Sequence, residues 1–180
     1  MGLSGILFNP QGRISPSEFW RGLIVLIGIS IVITVVSAYS PLVLALTLGI
    51  VSILLIYPII CVYGKRFHDT GQTAWLVLAV LVLYFGITMA LSYVLAPILA
   101  PEVEAFQTEF DEKVASGVGF AEVMELGQAQ ARITLVLNII VTLIASLLTG
   151  FFVARLESDP DENEHGMPTS GAATDTDTFS

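Results

Sequence analysis

Two short segments hold most of the side chains able to do chemistry. The first, GRISPSEFW, runs from Gly12 to Trp20. The second, GKRFHDTGQTAW, runs from Gly64 to Trp75. Within the second, His68 beside Asp69 is the pair that would suggest acid–base work or a metal ligand. A zinc site needs three or four converging ligands, and a general base must lie within hydrogen-bond reach of its proton. One His and one adjacent Asp do not meet either requirement, because neighbouring residues rarely point at one centre. No catalytic residue, metal ligand or cofactor is therefore expected, and the chain is not expected to be an enzyme. The single cysteine, Cys61, lies in an apolar run. It reads as a small buried residue, with neither a disulfide partner nor zinc-ligand spacing.

Both segments also have a local structural reading. Ser15 fits a helix N-cap, Pro16 the first helical position and Glu18 the third, which makes a capping box. Ile14 and Phe19 then flank the cap as a hydrophobic staple. Asp69-Thr70-Gly71 is turn chemistry, since Asp bonds the backbone two residues on and Gly permits positive φ. Trp20 and Trp75 suit the membrane interface, where an amphipathic ring is favoured. Each segment brings charges of both signs to one end of the molecule. The expectation is a polar cluster, binding or structural, of Arg13, Glu18, Arg66, His68 and Asp69, tying the first helix to the second and third.

The elements that position these segments follow from the distribution of charge. Of 180 residues, 54% are hydrophobic and only 13% charged, about half the charged share of a typical soluble domain. Charge is missing from long stretches, such as Gly22 to Gly64. About 20 apolar residues cross a bilayer core, so this run holds two spans, divided at Tyr39-Ser40-Pro41. An all-α, polytopic membrane protein with four transmembrane helices is expected. The spans are at about 22–39, 42–63, 74–96 and 133–154. Pro58 should kink the second, and Pro97 and Pro101 should mark the end of the third. The N-terminus does not read as a cleaved signal peptide, so the first run is expected to remain as a helix.

Basic residues set the expected orientation. One face would carry Arg13, Arg21, Lys65, Arg66 and Arg155, the other only Lys113 and Arg132. This predicts both termini in the cytoplasm. The loop 97–131 then lies outside. Within it Val103, Phe106, Phe110 and Val114 fall at helical spacing, a short amphipathic helix broken by Gly117 and Gly119, with a second short helix at Phe120, Val123 and Met124. Residues 1–156 would form the membrane domain. Residues 157–180 would form an acidic, mostly disordered cytoplasmic tail, disordered at least beyond Pro168. In the fourth span Thr134, Asn138, Thr142 and Thr149, with Ala145, predict a helix-packing seam. The net charge of −9 and the lack of a basic stripe exclude nucleic acid as a partner.

The two segments resemble the signatures of the domain-of-unknown-function family 805, small bacterial inner-membrane proteins. The similar positions are Gly12, Arg13, Ile14, Glu18, Phe19 and Trp20, then Arg66, His68, Asp69, Gly71 and Trp75. Asn163-Glu164-His165-Gly166-Met167-Pro168 is similar, more loosely, to the family's ending. Lys65 stands where the family often has arginine, and the acidic outer loop looks like an elaboration. The resemblance implies a multi-pass protein of the bacterial inner (plasma) membrane, and the family brings no established activity.

The expected function is accordingly a structural or interaction module, a four-helix bundle whose partners are the lipid bilayer and another membrane protein. The alternative is a small transporter, channel or anionic-lipid-binding protein that uses the cytoplasmic-face Arg/His/Asp cluster. No Asp, Glu, Lys, Arg or His lies within the spans as drawn, which counts against ion-coupled transport.

Overall fold

The computed structural model describes residues 1–169. Those residues are largely α-helical, and four helical stretches are long and apolar enough to cross a membrane. A short helix, α1 (Leu3–Phe8), precedes them. The first span is α2 (Pro16–Tyr39). It begins six residues earlier than expected because the capping box continues directly into it. Ser15 Oγ accepts from the Glu18 N–H, and the Ser15 N–H donates to Glu18 Oε2 at 3.2 Å.

The second span is split into α3 (Leu42–Leu54) and α4 (Ile56–Asp69), with Leu55 between them. Proline has no N–H to donate four residues back, so Pro58 leaves the Leu54 carbonyl without its helical partner, and the break falls beside that carbonyl. The third span, α5 (Leu76–Leu99), carries Pro97 inside its last turn. It therefore extends past the expected end at Ala96. Proline fixes its own φ in the helical range, and one further turn fits before Ala100.

Between the third and fourth spans lie α6 (Val103–Ala115) and α7 (Phe120–Ile133), separated by Gly117 at φ +81°. Helix α7 is longer than the short helix expected there, and Thr134 alone divides it from the fourth span, α8 (Leu135–Ala154). Arg132 Nε donates to the Ala38 carbonyl at 2.7 Å and Gln128 Nε2 to the Ser40 carbonyl at 2.9 Å. These bonds fasten α7 over the end of α2. Helix α6 buries no residue and packs on α7.

Helix α8 packs along both α2 and α5, and α2 also lies against α3 and α4. Helices α4 and α5 meet at the end holding the two segments, whereas α3 does not pack along α5 or α8 at the other end. The main core is correspondingly at the segment end, around Ile6, Ile14, Phe19, Leu23, Val62 and Phe67. Gly22 makes this core possible: a Cβ there would lie 2.8 Å from Ile6 Cγ2 and 3.1 Å from Val62 Cγ2. Several hydroxyls inside the spans bond the carbonyl one turn back, as Thr34 does to Ser30 at 2.8 Å and Thr149 to Ala145 at 2.8 Å. That satisfies them where no water is present.

The seam on α8 differs from the expected one. Its buried positions are Leu137, Val141, Ala145, Ser146, Thr149, Gly150 and Val153. Of the expected seam residues, Ala145 and Thr149 are fully buried there, and Thr149 Oγ1 lies 3.3 Å from the Tyr63 hydroxyl. Thr134 and Thr142 are half-buried, and Asn138 is exposed. At this level Leu137 and Val141 pack against α5, whereas α3 does not reach α8, so spacing along one helix did not reveal which side of it has a neighbour.

Candidate functional site

The site is built where the C-terminal ends of α4 and α8 converge on the lead-in to α2. Helix ends leave their last carbonyls without intrahelical partners. Two buried cations meet those carbonyls. Lys65 Nζ donates to the Ile6 carbonyl at 2.7 Å and to the Gly5 carbonyl, closing the end of α1. Arg66 Nη2 donates to the Ala154 carbonyl at 3.1 Å and to the Leu156 carbonyl, closing the end of α8. Both side chains sit at the negative pole of a helix. Both were expected at this face, Arg66 within the polar cluster, and Lys65 and Arg66 are each 0% exposed.

Asp69 is the single buried anion among them. Its Oδ1 accepts from Arg13 Nε at 3.2 Å and from Thr169 Oγ1. Its Oδ2 accepts from Arg66 Nη1 and, at 2.6 Å, from Ser158 Oγ. Four donors thus saturate the carboxylate, two of them charged, and charge-assisted bonds are the stronger kind. The geometry joins Arg13 and Arg66 through one residue, as the two segments implied.

Arg13 does more than pair with Asp69. Its Nη2 donates to the carbonyls of Asp69 at 3.1 Å and Asp159 at 2.5 Å. Its Nη1 donates to those of Asp161 at 2.8 Å and Gly166 at 3.3 Å. The planar guanidinium fork suits this multiple capture. The stretch 157–169 therefore lies over the cluster, and the Asp159 N–H returns a bond to the Asp69 carbonyl at 2.7 Å. The tail 157–180 was expected to be mostly disordered; residues 157–169 are bonded to the cluster, and residues 170–180 lie outside the described residues. Below, the turn at Gly71 takes φ +69°, and a Cβ there would lie 3.1 Å from Asp159 Oδ2, so a side chain is disfavoured twice.

His68 stands beside the ion pairs and does not join them. Its Nδ1 is 3.2 Å from the Gly12 carbonyl, and its ring stacks on His165 with centroids 3.7 Å apart and planes within 9°. Asn163 Nδ2 donates to the His68 carbonyl at 3.2 Å and to Asp159 Oδ2 at 3.0 Å. That amide and the Asp161 N–H hold the Asp159 carboxyl below the usual carboxylate range. Trp75 is 76% exposed at the mouth of a groove shared with His68, Glu164 and His165. Trp20 is half-buried, edge-on to Phe19.

Glu18 is the expected cluster member that the structure places elsewhere. Its carboxylate is used by the Ser15 cap and by the amino group of Met1. One carboxylate serving a capping box points back along its own helix and is unavailable to Arg13. Among the described residues, no group of three or more His, Cys, Asp or Glu side chains is placed to hold a metal ion. Sequence reasoning did not find Lys65 as an α1 cap, nor Ser158, His165 and Thr169 as site residues. The looser Asn163–Pro168 similarity was the one signal pointing to that stretch.

A family model described as a protein of unknown function, DUF805, matches residues 7–111, more than half of the chain. It includes both segments and ends within α6. No curated protein and no solved structure matches.

Proposed function

The chain belongs to the DUF805 family of proteins of unknown function, and from that premise we propose that it is a structural or interaction module of a bacterial inner membrane, and not an enzyme. In this reading a compact four-helix bundle, with both termini in the cytoplasm, presents the acidic α6–α7 loop outside to a membrane-protein partner. One observation carries the reading: the Asp69 cluster is closed. Arg13 is 5% exposed and Arg66 and Asp69 0%, and Asp69 with the chain's own carbonyls and hydroxyls takes up the guanidinium nitrogens, apart from Arg66 Nε, which is buried without a partner. A cluster spent on internal bonds fixes the relation between helices.

The runner-up reading is an anionic-lipid-binding protein, transporter or channel that uses the same cluster. Arginine pairs phosphate well, but here a headgroup would first have to displace residues 157–169 from Arg13. Native purification followed by mass spectrometry of co-purifying proteins and lipids separates the two. The module reading expects a stoichiometric membrane-protein partner that is lost when α6 is deleted. Stoichiometric anionic lipid without a protein favours the runner-up, and recovery of neither refutes both. Reporters fused at Gly117 and after Thr169 test the topology, with the first expected outside and the second in the cytoplasm.

A further inference from the structure

The stretch 157–169 brings a histidine of its own onto the Asp69 cluster. His165 lies parallel to His68 of α4, with ring centroids 3.7 Å apart and planes within 9°. This one contact joins the tail to the end of the second span. Both rings line a groove of about 340 Å³ beside the exposed Trp75, which gives protons access to them.

The proton positions follow from the partners. A carbonyl only accepts, so His68 Nδ1, 3.2 Å from the Gly12 carbonyl, holds a proton and leaves Nε2 for a second. A carboxylate likewise accepts, so His165 Nε2, 3.3 Å from Glu164 Oε1, holds a proton and leaves Nδ1. One charged ring can lie on a neutral one, as cations do on aromatic faces. Two charged rings at this spacing repel.

The surrounding charges do not remove that repulsion. Helices α1, α3, α5 and α8 contain no charged residue. On α4, Lys65 is spent on α1, and Arg66 and Asp69 on each other. In the lead-in to α2, Arg13 is spent on Asp69 and the tail carbonyls. On α2, Glu18 serves the Ser15 cap and Arg21 is exposed. In the tail, Asp159 is turned to the Asn163 amide and the Asp161 N–H, and Asp161 and Glu162 are exposed. Glu164 precedes His165 in sequence, so their attraction persists when the tail lifts and does not favour docking.

We propose that the His68–His165 stack is a pH-sensitive catch on the tail, favouring docking while at most one ring is charged and loosening it in acid. Once the tail lifts, each ring takes its proton independently. The lifted state then binds more protons, so docking weakens as pH falls through the ordinary histidine range, about 6.5. This names a control on the Asp69 cluster, and it rests on the reading of that cluster as closed.

The test is hydrogen exchange of the full chain in nanodiscs at about pH 7.5 and about pH 5, either side of the histidine range. Rates are divided by those of unstructured peptide at the same pH. Protection of residues 157–169 is expected to fall at least about fivefold in acid, the factor that like charges about 4 Å apart supply even in bulk water. The middle of α2 and α8 should not change. Asp159, held below the usual carboxylate range, stays ionised across this window. His165→Phe keeps a flat ring without its charge, so the tail should stay protected at both pH values. His165→Gln serves the same purpose if the Phe variant docks poorly. Equal protection of the unsubstituted tail at both pH values, tighter docking in acid, or a fall that survives both substitutions overturns the catch and leaves the closed cluster standing. A tail already unprotected at about pH 7.5 overturns the closed cluster, and the catch with it.

Discussion

Arg13 Nε lies 3.2 Å from Asp69 Oδ1, so a residue ahead of the first span is bonded to one at the end of the second. Both side chains are almost completely buried, with relative exposures of 1% and 0%. Removing one partner of such a pair leaves the other charge without compensation. Asp69→Asn strands both Arg13 and Arg66, and is expected to cost about 3–5 kcal/mol. Thermal unfolding in detergent measures this, and an unchanged midpoint would show that the carbonyls alone suffice for the two cations.

The tail is held by guanidinium geometry as well as by charge. Arg13→Lys keeps the charge but has three donors on one nitrogen, which cannot span the carbonyls of Asp69, Asp159, Asp161 and Gly166 together. Hydrogen exchange should then rise at least tenfold in residues 157–169 and stay unchanged in the middle of α2 and α8. If exchange rises equally everywhere, Arg13 supports the whole fold and not the tail.

Gly22 is the point of closest approach of α1, α2 and α4. Gly22→Val places its Cβ 2.8 Å from Ile6 Cγ2 and adds two methyl groups beyond it. Overpacking of this kind costs about 1–3 kcal/mol. The expected response is displacement of α1, the shortest element, with loss of the Lys65 bonds to Gly5 and Ile6. Proteolysis between residues 1 and 12 should accelerate while the spans remain intact. Gly28→Val, where a Cβ meets nothing within 4 Å, is the matched control.

Asp159 gives a prediction about pH. Its carboxyl is held below the usual range by the Asn163 amide and the Asp161 N–H. A lowered native pKa means that the contribution to tail docking is fully present above the ordinary carboxylate value. It is lost only as pH falls through the lowered one. A carboxyl-carbon NMR titration should therefore place the Asp159 midpoint below that of an ordinary aspartate. Asn163→Ala should move it upward. A midpoint that ignores the substitution means that the side-chain bond is not made in solution.

The four spans and the Ser15–Glu18 cap were legible because each leaves a one-dimensional mark: an uncharged run, or residue types at fixed offsets. The Arg13–Asp69 pairing was legible because two mixed-charge segments had to meet at one end of the molecule. Helix α1 was not, since six residues are too few to show a helical period. The tail escaped for a different reason. Its acidic composition reads as solvated chain, whereas Arg13 binds it through main-chain carbonyls, which every residue has. Placing Glu18 in the cluster overlooked that the cap had already used its carboxylate. Asn138 was assigned to a packing seam because periodicity along α8 carries no information about where α3 diverges.

The reach of Arg13 to the Gly166 carbonyl has a consequence for biosynthesis. The first residue of the cluster leaves the ribosome long before the last, and at ordinary elongation rates the interval is on the order of ten seconds. Until then the cations at positions 13 and 66 have Asp69 but none of the later carbonyls. The membrane insertion machinery therefore handles an unlatched chain, and the latch closes only once the fourth span is in place and the ribosome has moved past residue 166.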